Sequence, residues 1–382
     1  MSFSDFHGNA ETVLRVREML ARDRFPHSVI IAGPGGSGKY TLAQMIAKAM
    51  NCRRAGVAGS HAAEGLLLAP EPASDLPDFC GACESCLRIA EADDLDARCA
   101  EAVEAREALR ETDRRETRIF VQTHPDVLVI PPDPPQMMIK VDQVRHVRET
   151  IYHRPTVGGR RLFIFTDSAF MKEAANALLK VLEEPPDFAT ILLLTENAGE
   201  LLPTIRSRCV MLTLAPLAVV EVERYLSSRR PEWSVSQRSL AARLSGGAIG
   251  RAATFDLAAY SAARKDALAL LHAGAGTGDH SALFRATEGY RAGAEGRDKT
   301  ERLLRTVYLL LNDLLFLKSG ATEMVRNRDI SPELEKLAGE IDFGWISAAT
   351  DRIGQVESGM RRNLLRNLSL DAFATALEDR KG

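Results

Sequence analysis

Residues 33–41 read GPGGSGKYT and carry the clearest chemistry in the chain. The glycines free backbone N–H groups to face an anion, and the lysine that follows adds a full positive charge. Because an apolar strand precedes this stretch and a helix follows it, the pattern predicts a phosphate cradle that can bind ATP or ADP. A bare glycine-rich turn is the alternative. The candidate nucleotide-binding residues here are Gly33, Gly35, Gly36, Gly38, Lys39, Tyr40 and Thr41.

The residue after the lysine decides whether the cradle also holds Mg²⁺. In phosphate-loop ATPases this residue is serine or threonine, whose hydroxyl binds the metal. Here it is Tyr40. Thr41 lies about 100° further around the helix, so its hydroxyl cannot take that place. The sequence therefore predicts a nucleotide-binding fold with an impaired magnesium site.

A second group of residues is suited to a metal ion. Cys80, Cys83 and Cys86 form two Cys-x-x-Cys steps that share the central cysteine, and Cys52 is the candidate fourth ligand of a tetrahedral, structural zinc site. Cys99 is a rival for the fourth position. An iron–sulfur site is disfavoured because the ferredoxin pattern does not continue after Cys86, and the remaining alternative is a cluster of thiols that binds nothing.

Alternating strands and helices surround these residues. Apolar runs predict buried strands at residues 28–32, 127–130, 162–165, 191–194 and 210–213, and helical spacing predicts helices at residues 42–50, 141–151 and 176–184. This alternation is typical of a parallel sheet covered by helices. In phosphate-loop ATPases the strand that corresponds to residues 162–165 ends in a magnesium-binding aspartate, often followed by a catalytic glutamate. This chain has Thr166 and Asp167 there.

Two segments interrupt the alternation. Residues 53–79 are rich in glycine, alanine and proline, with little periodicity. Residues 88–118 alternate alanine with charged residues and place opposite charges four residues apart at Asp94–Arg98 and Glu111–Arg115. The second segment predicts an exposed, charged helix without a core of its own, to which we assign no function.

Length and composition bound the possible functions. A chain of 382 residues with 45% hydrophobic residues suggests two or three domains. A net charge of −3 argues against a protein that holds DNA by charge alone. The sequence has no apolar run of about 20 residues and no secretory signal, so we expect a cytoplasmic protein with no membrane association. Its cysteines are then expected to be metal ligands or free thiols rather than disulfides.

The chain resembles the clamp-loader branch of the AAA+ ATPases. The resemblance rests on His124-Pro125-Asp126, on NALLKVLEEPP at residues 176–186 and on TIRSRC at residues 204–209. It implies an α/β AAA+ domain over residues 1–213 with a zinc module and insertion at about 52–118, a small helical lid over 214–262, and an all-α collar over 263–382. The family's zinc module matches Cys52, Cys80, Cys83 and Cys86, although residues 53–79 and the charged segment depart from its pattern.

The resemblance also assigns roles to two arginines. Arg251, in the stretch SGGAIGRA at residues 245–252, is implied to be the lid arginine that faces the nucleotide. Arg208 is implied to project into the ATP site of a neighbouring subunit as an arginine finger. The alternative for Arg208 is an ordinary surface arginine at a helix C-terminus.

The family contains ATP-hydrolysing motor subunits and a subunit that mostly does not hydrolyse ATP. Tyr40 and Thr166 both remove expected magnesium ligands, and Asp167 is one methylene shorter than a catalytic glutamate, so the sequence favours the non-hydrolysing subunit. The implied partners are the other subunits of a hetero-pentamer, the sliding clamp and primed DNA during replication. A motor subunit, a free-standing zinc-containing ATPase or nucleotide kinase, and a purely structural scaffold are the alternatives.

Overall fold

A computed structural model describes residues 2–54, 76, 78–157, 159–290, 294–360 and 365–378. Most of the glycine-, alanine- and proline-rich segment at 53–79 therefore lies outside the described residues. The chain divides into two compact units. The first comprises Met1–Glu221 with Gly247–Arg251, and the second comprises Val222–Gly246 with Ala252–Gly382.

The first unit is built on one sheet of six strands. These are β1 (Ser28–Ala32), β2 (Val121–His124), β3 (Val127–Ile130), β4 (Arg161–Phe165), β5 (Ala189–Thr195) and β6 (Val210–Thr213). Their order across the sheet is β2-β3-β4-β5-β1-β6, with β2 antiparallel to β3 and every other pair parallel. All the predicted strands are confirmed, and the sheet gains β2 at its edge.

Both faces of the sheet are buried, which explains why its strands are continuous apolar runs rather than alternating ones. The described residues of this part of the chain form eight α-helices: α1 (Ala10–Ala21), α2 (Lys39–Asn51), α3 (Glu84–Ala90), α4 (Leu95–Glu107), α5 (Glu111–Glu116), α6 (Val141–Thr150), α7 (Lys172–Glu183) and α8 (Pro203–Arg206). Successive residues of β1 enter opposite cores: Val29 and Ile31 pack with α1, α2 and the cysteine-rich segment, and Ile30 packs on the other side with α6 and α7.

The charged segment at residues 88–118 is not the single helix that the sequence predicted. It contains the end of α3, then α4 and α5, because Asp94 starts a new helix by accepting a hydrogen bond from the backbone N–H of Ala97. Asp94 therefore does not pair with Arg98, which instead contacts Glu101 at 2.9 Å. The predicted pair of Glu111 and Arg115 is present, and α4 buries none of its residues.

After β6 the described chain is helical. Its helices are α9 (Val219–Arg229), α10 (Val235–Leu244), α11 (Ile249–Ala253), α12 (Leu257–Gly274), α13 (His280–Glu288), α14 (Ala294–Ser319), α15 (Ser331–Glu340), α16 (Phe343–Met360) and α17 (Arg366–Glu378). Helices α12 to α17 share one hydrophobic core, centred on Leu271, Leu310 and Ile353. The lid-to-collar boundary assigned from the sequence at residue 262 falls inside α12, which runs through it without a break.

Candidate functional site

The phosphate loop lies between the carboxyl end of β1 and the first turn of α2. Gly36 and Gly38 adopt φ angles of +77° and +91°, a left-handed conformation that glycine takes without strain. The loop is closed by a hydrogen bond from Ser37 N to Pro34 O at 3.1 Å. A glycine-rich loop that leads directly into a helix N-terminus is the backbone arrangement that binds anions in other proteins.

Lys39 is the first residue of α2, and its side chain reaches back to the start of the loop. Its Nζ donates to the carbonyl oxygens of Gly33 at 2.7 Å and Pro34 at 2.9 Å. Burial lowers the pKa of Lys39, and the nearby carboxylates of Glu196 and Asp167 partly oppose that decrease. The loop therefore holds a partly desolvated cation among acidic neighbours.

The ends of β4 and β5 lie at the same sheet edge as the loop, because carboxyl ends of parallel strands meet there. Gly33 N donates to Thr195 O at the end of β5 at 3.1 Å, and the Thr195 hydroxyl lies 2.8 Å from the Ser168 hydroxyl. After β4, Asp167 is exposed and its Oδ1 accepts from Ala169 N at 2.8 Å. Thr166 holds the position where a magnesium-binding carboxylate was expected.

Arg251 is also brought to the loop. Its Nη2 lies 3.0 Å from the point that a Cβ of Gly35 would occupy, and Gly250 N donates to Gly36 O at 2.9 Å. The exposed guanidinium therefore stands beside the phosphate loop, where an anionic ligand would meet it.

Tyr40 points into the protein instead of toward the loop. Its hydroxyl donates to Ala92 O at 2.6 Å and accepts from Gln44 Nε2 at 2.5 Å. Burial raises the pKa of Tyr40, so the phenol stays neutral. Next to this contact, Lys48 Nζ pairs with Asp93 at 2.8 Å. Tyr40 thus connects α2 to the turn between α3 and α4. Because its hydroxyl makes these contacts, the oxygen is not available to a metal at the loop.

We expect the substitution Tyr40→Phe to lower the free energy of unfolding by about 1–2 kcal/mol, because it leaves Ala92 O and Gln44 without a buried partner. Urea unfolding followed by circular dichroism measures this as a lower midpoint. The control is Tyr152→Phe, since Tyr152 is 56% exposed and its substitution should leave the midpoint unchanged. Equal midpoints for the two variants would show that the Tyr40 contacts do not matter.

Cys52, Cys80, Cys83 and Cys86 converge in the structure: their Sγ atoms all lie within 4.8 Å of one another. Cys52 Sγ is 3.5 Å from Cys80 Sγ and 4.0 Å from Cys83 Sγ. Cys99, also described, lies outside this group. The backbone brings Cys52 from the end of α2 and Cys86 from α3, so the cluster joins the phosphate-loop helix to the segment after it.

The cluster has the chemistry of a structural zinc site. Four sulfur donors suit tetrahedral Zn²⁺ and leave no position for a reactive water. Backbone N–H groups of Cys80 and Cys83 donate to Cys52 Sγ and Cys80 Sγ, each at 3.3 Å, although burial raises the pKa of the Cys52 thiol. Burial opposes ionisation of Cys83, but hydrogen bonds from the Cys86 and Arg53 backbone and from neighbouring thiols lower its pKa to about 6. These residues fit zinc.

Arg208 follows the short helix α8 and is exposed. Its Nη1 donates to Thr204 O at 3.0 Å, and its Nη2 lies 3.0 Å from Glu183 Oε1 at the end of α7. The first contact is the one expected of an arginine at a helix C-terminus. The Arg208 and Glu183 side chains are 36% and 52% exposed, so this pair can open at little cost.

The His124-Pro125-Asp126 motif has a structural role in the turn between β2 and β3. His124 Nδ1 accepts from Asp126 N at 3.1 Å, and burial lowers the pKa of His124, which keeps the ring neutral. The Asp126 carboxylate accepts from Thr156 N at 2.7 Å and Val157 N at 2.9 Å. The motif fixes the loop that precedes β4.

Glu196 is the residue at this site that the sequence analysis missed. It directly follows β5 and its Oε1 lies 2.4 Å from the point that a Cβ of Gly35 would occupy. A signal for it was present, because the strand at residues 191–194 is buried and the first charged residue after such a strand reaches the ligand edge of a parallel sheet.

A family model described as "DNA polymerase III, delta subunit" matches residues 8–218. The chain is 31% identical over 252 residues to DNA polymerase III subunit delta′ of Escherichia coli K12, covering 64% of this chain and 72% of that relative. It is 29% identical over 194 residues to DNA polymerase III subunit delta′ of Pseudomonas aeruginosa, covering 50% of this chain but only 44% of that relative.

A relative with a different name matches more of the chain at lower identity. DNA polymerase III subunit tau of Escherichia coli K12 is 24% identical over 279 residues, which is 73% of this chain and 34% of that relative.

Proposed function

The chain belongs to the DNA polymerase III delta family as a delta′-type clamp-loader member, and from this premise we propose that it is the clamp-loader subunit that does not hydrolyse ATP itself. It supplies Arg208 as an arginine finger in trans to a neighbouring ATPase subunit. As part of the assembly it helps to open the sliding clamp and load it onto primed DNA during replication. The chain is thus a component of a DNA polymerase assembly without ATPase activity of its own.

The observation that carries this proposal is the placement of Tyr40. The hydroxyl that should bind magnesium is replaced by a phenol whose oxygen is hydrogen-bonded to Ala92 O and Gln44. Without a metal, the charge that develops on a transferred phosphoryl group loses one of its main stabilising interactions. Thr166 at the end of β4 supports the same conclusion, since it offers no carboxylate for the metal.

The exposure of Arg208 supports the second half of the proposal. A planar guanidinium on the surface can reach two phosphate oxygens of a neighbouring subunit's nucleotide. Its present partners, Glu183 and the carbonyl of Thr204, are both at the surface and can be exchanged for phosphate. The proposed neighbours are gamma/tau and delta subunits in a hetero-pentamer held together by the helical collar.

The competing function is a gamma/tau-type motor subunit that hydrolyses ATP. The tau relative's match over 73% of this chain is the observation in its favour. A motor subunit needs an intact magnesium site, so the two functions differ in what the isolated chain does with ATP and Mg²⁺.

We expect negligible ATPase activity from the purified chain, measured as phosphate release with ATP and Mg²⁺. Mixing it with a hydrolysing loader subunit and a delta subunit should form a complex whose ATPase responds to clamp and primed DNA. Turnover by the isolated chain that needs Mg²⁺ and vanishes in Lys39→Ala would identify a motor subunit or a free-standing ATPase. A complex in which this chain leaves the partner's ATPase unchanged would identify a scaffold.

The proposed cofactor is one structural Zn²⁺ on Cys52, Cys80, Cys83 and Cys86. ATP or ADP can bind at Lys39 and the glycine loop without a metal, because backbone N–H groups and the lysine attract phosphate directly. Arg251 lies beside the same loop, where its guanidinium could contact a bound phosphate.

None of the helices in the described part of the chain is long and apolar enough to cross a membrane.

A further inference from the structure

The phosphate loop already has an anion beside it, supplied by the chain itself. The Glu196 carboxylate approaches Gly35 so closely that an added Cβ would lie 2.4 Å from Oε1. The same point is 3.0 Å from Arg251 Nη2. One carboxylate and one guanidinium therefore lie together beside Gly35 of the loop.

The backbone position of Glu196 is set by the hydrogen bonds of the residues beside it. It follows Thr195, whose carbonyl accepts from Gly33 N and whose hydroxyl lies 2.8 Å from Ser168 Oγ and accepts from Asn197 N at 3.1 Å. The start of the phosphate loop and the end of β5 are thus held together. Glu196 cannot leave the loop by a shift of its backbone without breaking these bonds, although its exposed side chain can rotate.

The charges at the loop divide into two regions. Backbone N–H groups at the start of α2 cradle the inner phosphates of a bound nucleotide, and a lysine such as Lys39 reaches the outer ones. Glu196 and Arg251 approach the same point at Gly35, and the charge of Glu196 favours the charged form of Lys39. A terminal phosphate would have to share these cations with a carboxylate of its own sign.

We propose that Glu196 takes the place of a terminal phosphate beside Gly35 and Arg251, so that the cradle prefers a nucleoside diphosphate to a nucleoside triphosphate. The backbone donors remain open to the inner phosphates, whereas the outermost phosphate, which would interact with Lys39 and Arg251, meets the carboxylate. Asp167, exposed after β4, adds a second negative charge near Lys39. This inference rests on the part of the proposed function that assigns the loop to a nucleotide, and it is independent of the role of Arg208.

The test is calorimetric titration of the full chain with ADP and with ATP, in chelator and at low salt. The wild-type chain should bind ADP more tightly than ATP. Glu196→Gln keeps the side-chain shape and removes the charge, and it should strengthen ATP binding about tenfold while changing ADP binding much less. High salt should narrow the difference in ATP affinity between the wild-type chain and Glu196→Gln, because mobile ions screen exposed charges.

The matched control is Glu200→Gln, an exposed glutamate four residues along the same connection whose substitution should change neither affinity. Lys39→Ala should abolish binding of both nucleotides. Equal strengthening of ADP and ATP by Glu196→Gln, no strengthening of either, or tighter ATP than ADP binding by the wild type would each overturn the proposal. Because all titrations use the isolated chain, these outcomes do not depend on whether Arg208 acts in an assembled loader.

Discussion

Replacing Arg208 by alanine is expected to lower the DNA- and clamp-stimulated ATPase of a reconstituted loader, and to slow clamp loading, by about tenfold or more. The expected size follows from other phosphoryl-transfer systems, in which an arginine supplied in trans is worth about 10³–10⁵ in rate. The loss should appear in the ATP turnover of the neighbouring subunit, since we expect no turnover from this chain.

The variant chain itself should fold and assemble normally. Arg208 contributes one exposed ion pair with Glu183 and one hydrogen bond to Thr204 O, and exposed pairs contribute about 0–1 kcal/mol to stability. Circular dichroism and gel filtration of the complex check this before the rate is interpreted. If the complex is intact and its ATPase is still slow, the defect lies in ATP hydrolysis and not in assembly.

Two further variants make the result specific. Arg208→Lys should restore little of the lost ATPase rate, because a point charge cannot reproduce the planar guanidinium that binds two phosphate oxygens. Arg206→Ala, two residues away and also exposed, should have only a mild effect on the rate. Equal losses for Arg206→Ala and Arg208→Ala would indicate a general interface patch. No loss for Arg208→Ala in a verified complex would contradict the finger in trans.

The sheet was predictable because its strands are buried on both faces. Runs such as residues 191–194 stand out from the helices between them, and each predicted strand is present with nearly the predicted bounds. The charged segment was less predictable, because its pattern does not show where one helix stops. Asp94 reads equally well as a partner for Arg98 and as a helix cap, and only the fold selects the cap.

The candidate site likewise combines residues that a local pattern predicts with contacts that it does not predict. The glycines and Lys39 are recognised locally, since their function depends on consecutive residues. What Tyr40 does instead of binding metal depends on Ala92, 52 residues away in sequence, and the approach of Glu196 to Gly35 depends on the pairing of β1 with β5. Contacts of this kind come from tertiary packing, and no local pattern contains them.

Loss of zinc is expected to have the largest effect on the chain itself. Metal analysis of the purified protein should give one zinc per chain, and Cys52→Ser or Cys80→Ser should lose nearly all of it. Serine offers a hard, protonated oxygen in place of a thiolate, so the tetrahedral sulfur set becomes incomplete. The same variants should unfold at clearly lower temperature, because binding free energy at a structural zinc site is folding free energy, about 10–16 kcal/mol in zinc-finger peptides.

Cys99→Ser is the matched control for the fourth ligand. Cys99 is partly buried like Cys52 and Cys80, but it lies outside the group of converging sulfur atoms, so its substitution should leave the zinc content at one per chain. Zinc loss in Cys99→Ser with retention in Cys52→Ser would reverse the assignment. A wild-type protein purified without chelator that contains no zinc would refute the site altogether.

The consequence of zinc loss should reach the phosphate loop, because the cysteine cluster and the loop share α2. Cys52 caps the end of that helix, and Cys83, Cys86 and Ile89 belong to the same buried core as its Leu42 and Met45. The turn between α3 and α4 accepts a hydrogen bond from the Tyr40 hydroxyl and pairs with Lys48. Without zinc, the cysteines no longer help to hold this turn against α2. Hydrogen exchange of the backbone amides of α2 should therefore accelerate in Cys52→Ser and stay slow in Cys99→Ser. Unchanged protection of α2 in a zinc-free variant would mean that the hydrophobic core alone holds the helix in place.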